Sequence, residues 1–408
     1  MPFLLRTIQS FALALLLVPA CLPAAQTEEL RSPAGPDSLA PSFASLGDGS
    51  LVLTWLEPTG EGHALKFSVL DGDEFGPART IASGENWFAN WADTPGLFVL
   101  PNGDWVAHWL VKSGPSTYAY DVVSARSSDG GESWSNPVSP HRDGTQTEHG
   151  FVSYFAESPG AAGMVWLDGR RMADEEGEGA MTLRTAAVSA DGGLSDAARL
   201  DERVCDCCQT ASAMTSQGPI VAYRDRSEDE IRDHYIVRRT SDGWSEPQLL
   251  HADNWRIGGC PVNGPAMIAD GERVAVAWFT MPEGKARVHV ATSGNSGQSF
   301  ELADTLGQGS ALGRVDLALT TRGFVLAWVD QVDRSGELVV IGYGWGGQEL
   351  WQHRIGGVDT GRAIGFPRLG LLQGCNPVVA WTGREKGVQR VRIARIDADR
   401  ACEDGSNG

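Results

Sequence analysis

The sequence predicts an all-β chain, a seven-bladed β-propeller of four-stranded antiparallel blades whose ring is closed by an N-terminal strand in the last blade. Three observations predict it. A strand-like phrase, a turn followed by alternating aliphatics and an aromatic, recurs at Trp55, Trp109, Trp166, Tyr223, Trp278, Trp328 and Trp381. The intervals are 54, 57, 57, 55, 50 and 53 residues, and a period near fifty filled by strands is the mark of one blade per repeat. The composition agrees: 50 glycines and 14 tryptophans in 408 residues suit many short strands joined by tight turns. Finally, the last repeat stops one strand short.

The elements follow in chain order. Residues 1–25 read as a signal peptide, with Arg6 before the apolar run 11–18, which is too short to span a bilayer as a mature helix. Val18-Pro19-Ala20-Cys21 resembles a bacterial lipobox with Pro19 out of pattern, so lipidation at Cys21 and ordinary cleavage near Ala25 both stand. Either implies export, to the periplasm or as an outer-membrane lipoprotein of a bacterium, with membrane contact only through a lipid anchor. Residues 27–402 form one propeller domain, and 403–408 a disordered tail. Within each period a short first strand (41–46, 264–269) precedes the aromatic phrase. A third strand follows (64–70, 234–239, 286–292, 388–396), then a weaker fourth (247–250). Blade 7 has no fourth strand of its own, and residues 27–32 sit where every other blade's fourth strand sits. They are expected to pair with it, because closure removes exposed sheet edges.

One turn is specific. Residues 127–134 (SSDGGESW) fit S-x-D-x-G-x-[ST]-[WF] around Asp129, and 293–300 (SGNSGQSF) fit with Asn295 for Asp. Residues 189–195 fit around Asp191 without the aromatic, and Asp242 stands in a shortened version at 240–244. All four fall between third and fourth strands. In such a turn the carboxylate accepts backbone N–H bonds, Gly takes positive φ and the aromatic packs beneath the hairpin. The chain therefore resembles the sialidase-like, Asp-box (BNR repeat) propeller superfamily over its mature length. The resemblance implies a fold, since the Asp box is structural, and it leaves a six-bladed sialidase-type ring as the alternative count. The family's N-terminal Arg-Ile-Pro motif is absent and the surroundings of Tyr343 do not match its nucleophile. No sialidase catalytic residue carries over.

The formal charge of -19 repels nucleic acid. Candidate chemistry lies in the loops that enter each blade and in those between second and third strands. Cys205, Cys207 and Cys208 enter blade 4, and Cys260 enters blade 5. Four sulfurs on one face admit disulfides, as an oxidising compartment favours, or a thiolate site for Cu or Zn, with His149 lending a nitrogen. Cys375 and Cys402 suit a structural disulfide at the other face. A carboxylate follows the aromatic by two residues at Glu57, Asp168, Asp225 and Asp330. Such groups either brace loop ends or, with Arg170, Arg224, Arg226, Trp255 and Asn263, form a pocket for a glycan or other small polar ligand. The function expected is ligand binding by an exported propeller. The alternatives are an exo-acting glycoside hydrolase of sialidase type and a soft-metal binding protein. Oligomeric state is not legible.

Overall fold

The computed structural model describes residues 26–173 and 179–397. The signal segment with Cys21, and the tail with Cys402, lie outside them. The described chain forms seven antiparallel sheets arranged as blades. Blade 3 shows the plan, with strands His149–Ser158, Ala161–Asp168, Thr182–Val188 and Leu194–Asp201 paired in sequence order. Each aromatic phrase is a second strand, as expected. Its alternation is overridden by burial on both faces, because every blade is sandwiched between two others. Thus Trp55, Trp278, Trp328 and Trp381 are fully buried. Each blade interface has its own apolar cluster. Blades 5 and 6 meet through Phe279, Trp328 and Tyr343, and blades 2 and 3 through Leu110, Tyr120 and Trp166.

The ring closes as predicted. Gln26–Leu30 pairs antiparallel with Val388–Asp397, in the register Thr27↔Ile396 and Glu29↔Ala394. Leu30 is buried in the cluster between blades 7 and 1. Fourth strands are the weak element. In blade 2 the fourth position is reduced to an isolated bridge, Ser124↔Val138, and in blades 1 and 4 it is split in two.

The Asp boxes form as read, with one exception. Asp129 accepts from Ser133 N at 3.0 Å, from Ser133 Oγ at 2.6 Å and from Ser127 Oγ at 2.7 Å. These bonds, led by the Ser133 hydroxyl, pull its carboxyl down to about 2. Gly131 has φ +84°, and a Cβ there would meet the Phe67 ring at 2.5 Å. Asn295 reproduces the clamp on Ser299 N at 3.1 Å, and Asp191 accepts from Gly193 N at 3.1 Å. Asp242 departs from the expectation. The shortened turn is closed by Thr240 Oγ1, which accepts from Asp242 N at 3.2 Å, so the threonine replaces the carboxylate as clamp.

Candidate functional site

Loops entering the blades meet over the axis and leave a pocket of about 490 Å³, lined among others by Trp91, Tyr118, Tyr120, Glu148, Cys207, Cys260 and Arg362. Beneath it the first strands line an axial channel of about 430 Å³, and Ala92, Asp93 and Phe151 border both. Gln209 fixes the mouth. Its Nε2 donates to Ala92 O at 2.8 Å and its Oε1 accepts from Gly264 N at 3.0 Å, tying three loops together.

The pocket floor holds an acidic group that sequence reading missed. Tyr120 Oη lies 2.7 Å from Asp93 Oδ2 and 2.8 Å from Glu148 Oε1. A phenol has one proton to give, so the second short contact requires a proton on one carboxyl. Burial, the leading cause at both sites, raises Asp93 to about 7 and Glu148 to about 8. Phe151 N donates to Asp93 Oδ1 at 2.8 Å, and Phe88 stacks on Tyr120 with centroids 4.1 Å apart. The only sequence signal was position, since Asp93 and Glu148 lie in the loops entering blades 2 and 3. The opposite wall is aromatic and cationic. Trp91 stacks on Phe366, with the guanidinium of Arg362 over its ring at 5.8 Å. Tyr118, 58% exposed, also lines the pocket and meets the edge of Phe88 at 6.3 Å.

The cysteines come together as predicted, on the pocket rim. Cys205 Sγ lies 2.7 Å from Cys208 Sγ and 3.8 Å from Cys207 Sγ. All four of Cys205, Cys207, Cys208 and Cys260 are free, so the disulfide reading is not what the structure shows. Three sulfurs turn to one point instead of pairing off. Arg232 Nη1 donates to Cys205 Sγ at 3.4 Å. Burial opposes ionisation of Cys205, yet its bonds to Cys207 and Cys208 and the charge of Arg224 hold its thiol well below the usual range. Such an arrangement of soft, electropositively framed sulfurs is able to hold Cu(I) or Zn²⁺. Cys375 is disulfide-bonded, and Cys402, its expected partner, lies outside the described residues.

The remaining candidates take structural posts, and none of them lines the pocket. Arg224, 1% exposed, donates to the carbonyls of Asn263, Arg232 and Phe279 at 2.6–3.0 Å and packs on Trp255 at 4.9 Å. Asn263 is buried and caps the next blade by accepting from Arg314 N at 2.7 Å. These three were expected to face a ligand; all are buried, and the polar side-chain atoms of Arg224 and Asn263 are spent inside. Arg226 grips Glu230 at 2.7 Å and Asp206 at 3.2 Å, bracing the cysteine loop. Asp225 is raised to about 7 by burial and by Asp201, and its N–H donates to Asp233 O at 2.9 Å. Asp168 accepts from Trp166 Nε1 at 2.8 Å and is gripped bidentately by Arg170. Glu57 repeats the motif with Trp55 at 2.7 Å. His149 does not reach the cysteines. It stacks on His141, with ring centroids 3.9 Å apart.

No protein-family model and no curated protein matches the sequence. Solved structures do match. One is a protein of unknown function from Dyadobacter fermentans, at 14% identity over 92% of this chain and 100% of that one, with a TM-score of 0.51. Another is the polysaccharide lyase Uly1, at 8% identity, 88% and 90% coverage and a TM-score of 0.52. The NanB sialidase of Streptococcus pneumoniae matches at 9% identity, 86% and 84% coverage and a TM-score of 0.47. The chain is a seven-bladed β-propeller and shares that overall fold with the first two of these structures. At such identities the likeness is one of fold, and function must be argued from the site. Within this propeller, the axial pocket and the sulfur cluster share one face and one loop, since Cys207 belongs to both.

Proposed function

We propose that this chain is an exported glycan-binding propeller whose ligand enters the axial pocket. The observation that carries the proposal is the pairing, in one cavity, of aromatic faces at Trp91 and Tyr118 with the carboxyl pair bridged by Tyr120. Apolar sugar faces stack on aromatic rings, and hydroxyl edges pair with carboxyl groups. The volume of about 490 Å³ lies within the range of small-ligand sites, roughly 300–1,000 Å³. Uly1, named as a polysaccharide lyase, has the same fold.

The stronger form of this reading is glycoside cleavage. Both carboxyls lie within 2.8 Å of one hydroxyl. Their oxygens are therefore no farther apart than about 5.5 Å, the separation retaining glycosidases use. One carboxyl protonated and one ionised is the state an acid and a base need.

A carbohydrate array on the secreted protein, followed by calorimetry with the best binder, tests the proposal. Trp91→Ala should weaken binding about tenfold. If cleavage occurs, Glu148→Gln should lower turnover of a fluorogenic glycoside by about 10²–10⁴. An array without binders would remove both forms. Cell fractionation tests export.

A second reading attaches to the sulfurs. The 3.8 Å gap between Cys205 and Cys207 matches an edge of a tetrahedron with Zn–S bonds of about 2.3 Å. The 2.7 Å contact of Cys205 with Cys208 would have to open. Metal analysis and thiol counting on protein purified without chelator decide whether Cu or Zn sits there.

A further inference from the structure

The four free cysteines of the pocket rim are graded in depth. Cys260 is exposed, Cys207 is half-buried, and Cys205 and Cys208 are buried. Their contacts run along that gradient. Cys260 and Cys207 share a thiol hydrogen bond. Cys207 Sγ lies 3.8 Å from Cys205 Sγ, and Cys205 Sγ lies 2.7 Å from Cys208 Sγ. A line of sulfur atoms therefore leads from solvent into the protein. Its outer members, Cys260 and Cys207, line the axial pocket.

The inner members have the C-x-x-C spacing of dithiol redox centres. From 2.7 Å, Cys205 and Cys208 need less than about 1 Å of approach to reach the bonded distance of about 2.05 Å. The surroundings favour a reactive sulfur. Arg232 is buried, donates from Nη1 to Cys205 Sγ at 3.4 Å and is itself held by Glu230 at 2.8 Å. A guanidinium beside a sulfur stabilises the thiolate, the species that attacks a disulfide. The loop backbone is pinned as well. Cys205 N donates to Arg224 O at 3.0 Å, and Arg226 holds Asp206 at 3.2 Å. Exchange of partners then falls to rotation of the cysteine side chains.

We propose that these four cysteines form a thiol–disulfide relay that reduces a low-molecular-weight disulfide at the axial pocket and stores the oxidation as a Cys205–Cys208 bond. The pocket of about 490 Å³ suits a small disulfide RS–SR. The Cys260 thiolate attacks one of its sulfurs, the S–S bond breaks, and RS⁻ leaves and takes up a proton. Cys207 attacks Cys260 Sγ in the mixed disulfide and expels the second RS⁻. Cys205 then attacks Cys207 Sγ and frees Cys260, and Cys208 attacks Cys205 Sγ and frees Cys207. The small disulfide gains two electrons and two protons as two RSH, and Cys205 and Cys208 lose them. The relay rests neither on the glycan reading nor on a bound metal, and a Cys205–Cys208 bond would withdraw both sulfurs from any metal.

The test mixes full-length protein, reduced and freed of metal by chelator, with glutathione disulfide under anaerobic conditions. Alkylation and peptide mass mapping read the result. Cys205, Cys207 and Cys208 share the tryptic peptide 204–224, and Cys260 lies in 257–273. The expected end product has peptide 204–224 short of two hydrogens and alkylated once, on Cys207, with Cys260 alkylated as well. Cys260→Ser should slow oxidation at least about tenfold, with the same bond formed in the end. Cys208→Ser should halt the relay at a disulfide that includes Cys207. Cys260 is exposed, so that variant does not depend on the folding of a core substitution. A parent protein whose four thiols stay free would overturn the proposal and leave the metal reading standing. Oxidation that ends at a Cys207–Cys260 bond in the parent, or that runs at the parental rate in Cys260→Ser, would overturn it too.

Discussion

Asp93 is where a single residue has most to say. It is buried, it accepts from Tyr120 and from Phe151 N, and burial raises its carboxyl from 3.8 to about 7. A carboxyl raised in the folded state binds its proton more tightly there than in the unfolded chain. Its stabilising contribution is fully present below the unfolded value near 4 and is lost as pH rises through about 7. Glu148, raised to about 8, pulls the same way. Urea unfolding should therefore show stability falling from pH 4 to pH 7. Asp93→Asn should flatten that fall and be relatively more stable at pH 8. The rise from 3.8 to about 7 caps the effect at about 4 kcal/mol. A variant with the parental slope would remove Asp93 as a proton holder. Asp93 was not legible in sequence because an acidic loop residue looks the same whether it points to solvent or to a tyrosine. Arg224 failed in the opposite sense. Its loop position suggested a ligand, but the carbonyls of Asn263, Arg232 and Phe279 turn inward and consume its guanidinium. Sequence places a loop on a face; it does not say which way the carbonyls turn.

At the scale of the element, legibility was high wherever local chemistry decides the shape. The Asp boxes are self-contained turns, and Asp129 closes its own through Ser133 N and two hydroxyls. Asp129→Ala should lower stability by about 1–2 kcal/mol, the loss of a clamp on one exposed hairpin. Asn295→Asp should be nearly neutral, because Asn295 already accepts from Ser299 N at 3.1 Å and from Ser293 Oγ at 2.8 Å. Chemical denaturation of the two variants side by side checks the pair of outcomes. The second strands were equally legible, since their apolar runs are set by burial on both faces. The fourth strands were not. They lie at the outer rim, where less burial enforces a pattern, and in blade 2 only Ser124↔Val138 remains. The cysteine loop lies between these cases. Its sulfurs were expected to meet on one face and they do, yet whether they pair with each other or converge depends on loop geometry that spacing cannot give.

For the whole molecule the deciding contact joins the two ends of the described chain. The apolar clusters between blades make the ring one cooperative unit only if blade 7 and blade 1 are held together. Gln26–Leu30 does this by supplying the fourth strand of blade 7, with Leu30 buried and Glu28 and Glu29 paired to Arg395 and Arg392. The ion pairs are exposed and contribute little; the hydrogen-bonded edge and Leu30 carry the effect. Removing residues 26–30 would bare the edge of Val388–Asp397, an unpaired template for other chains. It would also open the cluster of Leu30, Trp55, Leu372 and Ile393. The truncated protein should melt several degrees lower and associate with rising concentration, with light scattering reporting the association. Adding the excised peptide in trans should restore the melting temperature, because the site it vacates is preformed by the rest of blade 7. Leu30→Ala alone should cost about 2–3 kcal/mol, as for other buried leucines. Unchanged melting and a monomeric truncation would mean that the ring is held by its other contacts across this seam. The nearest of those are Asp37 N to Gln389 O at 2.8 Å and Val391 N to Ser38 Oγ at 2.9 Å. Those bonds lie next to the strand in sequence, so Ser38→Ala in the truncated background separates the two ways of closing the ring.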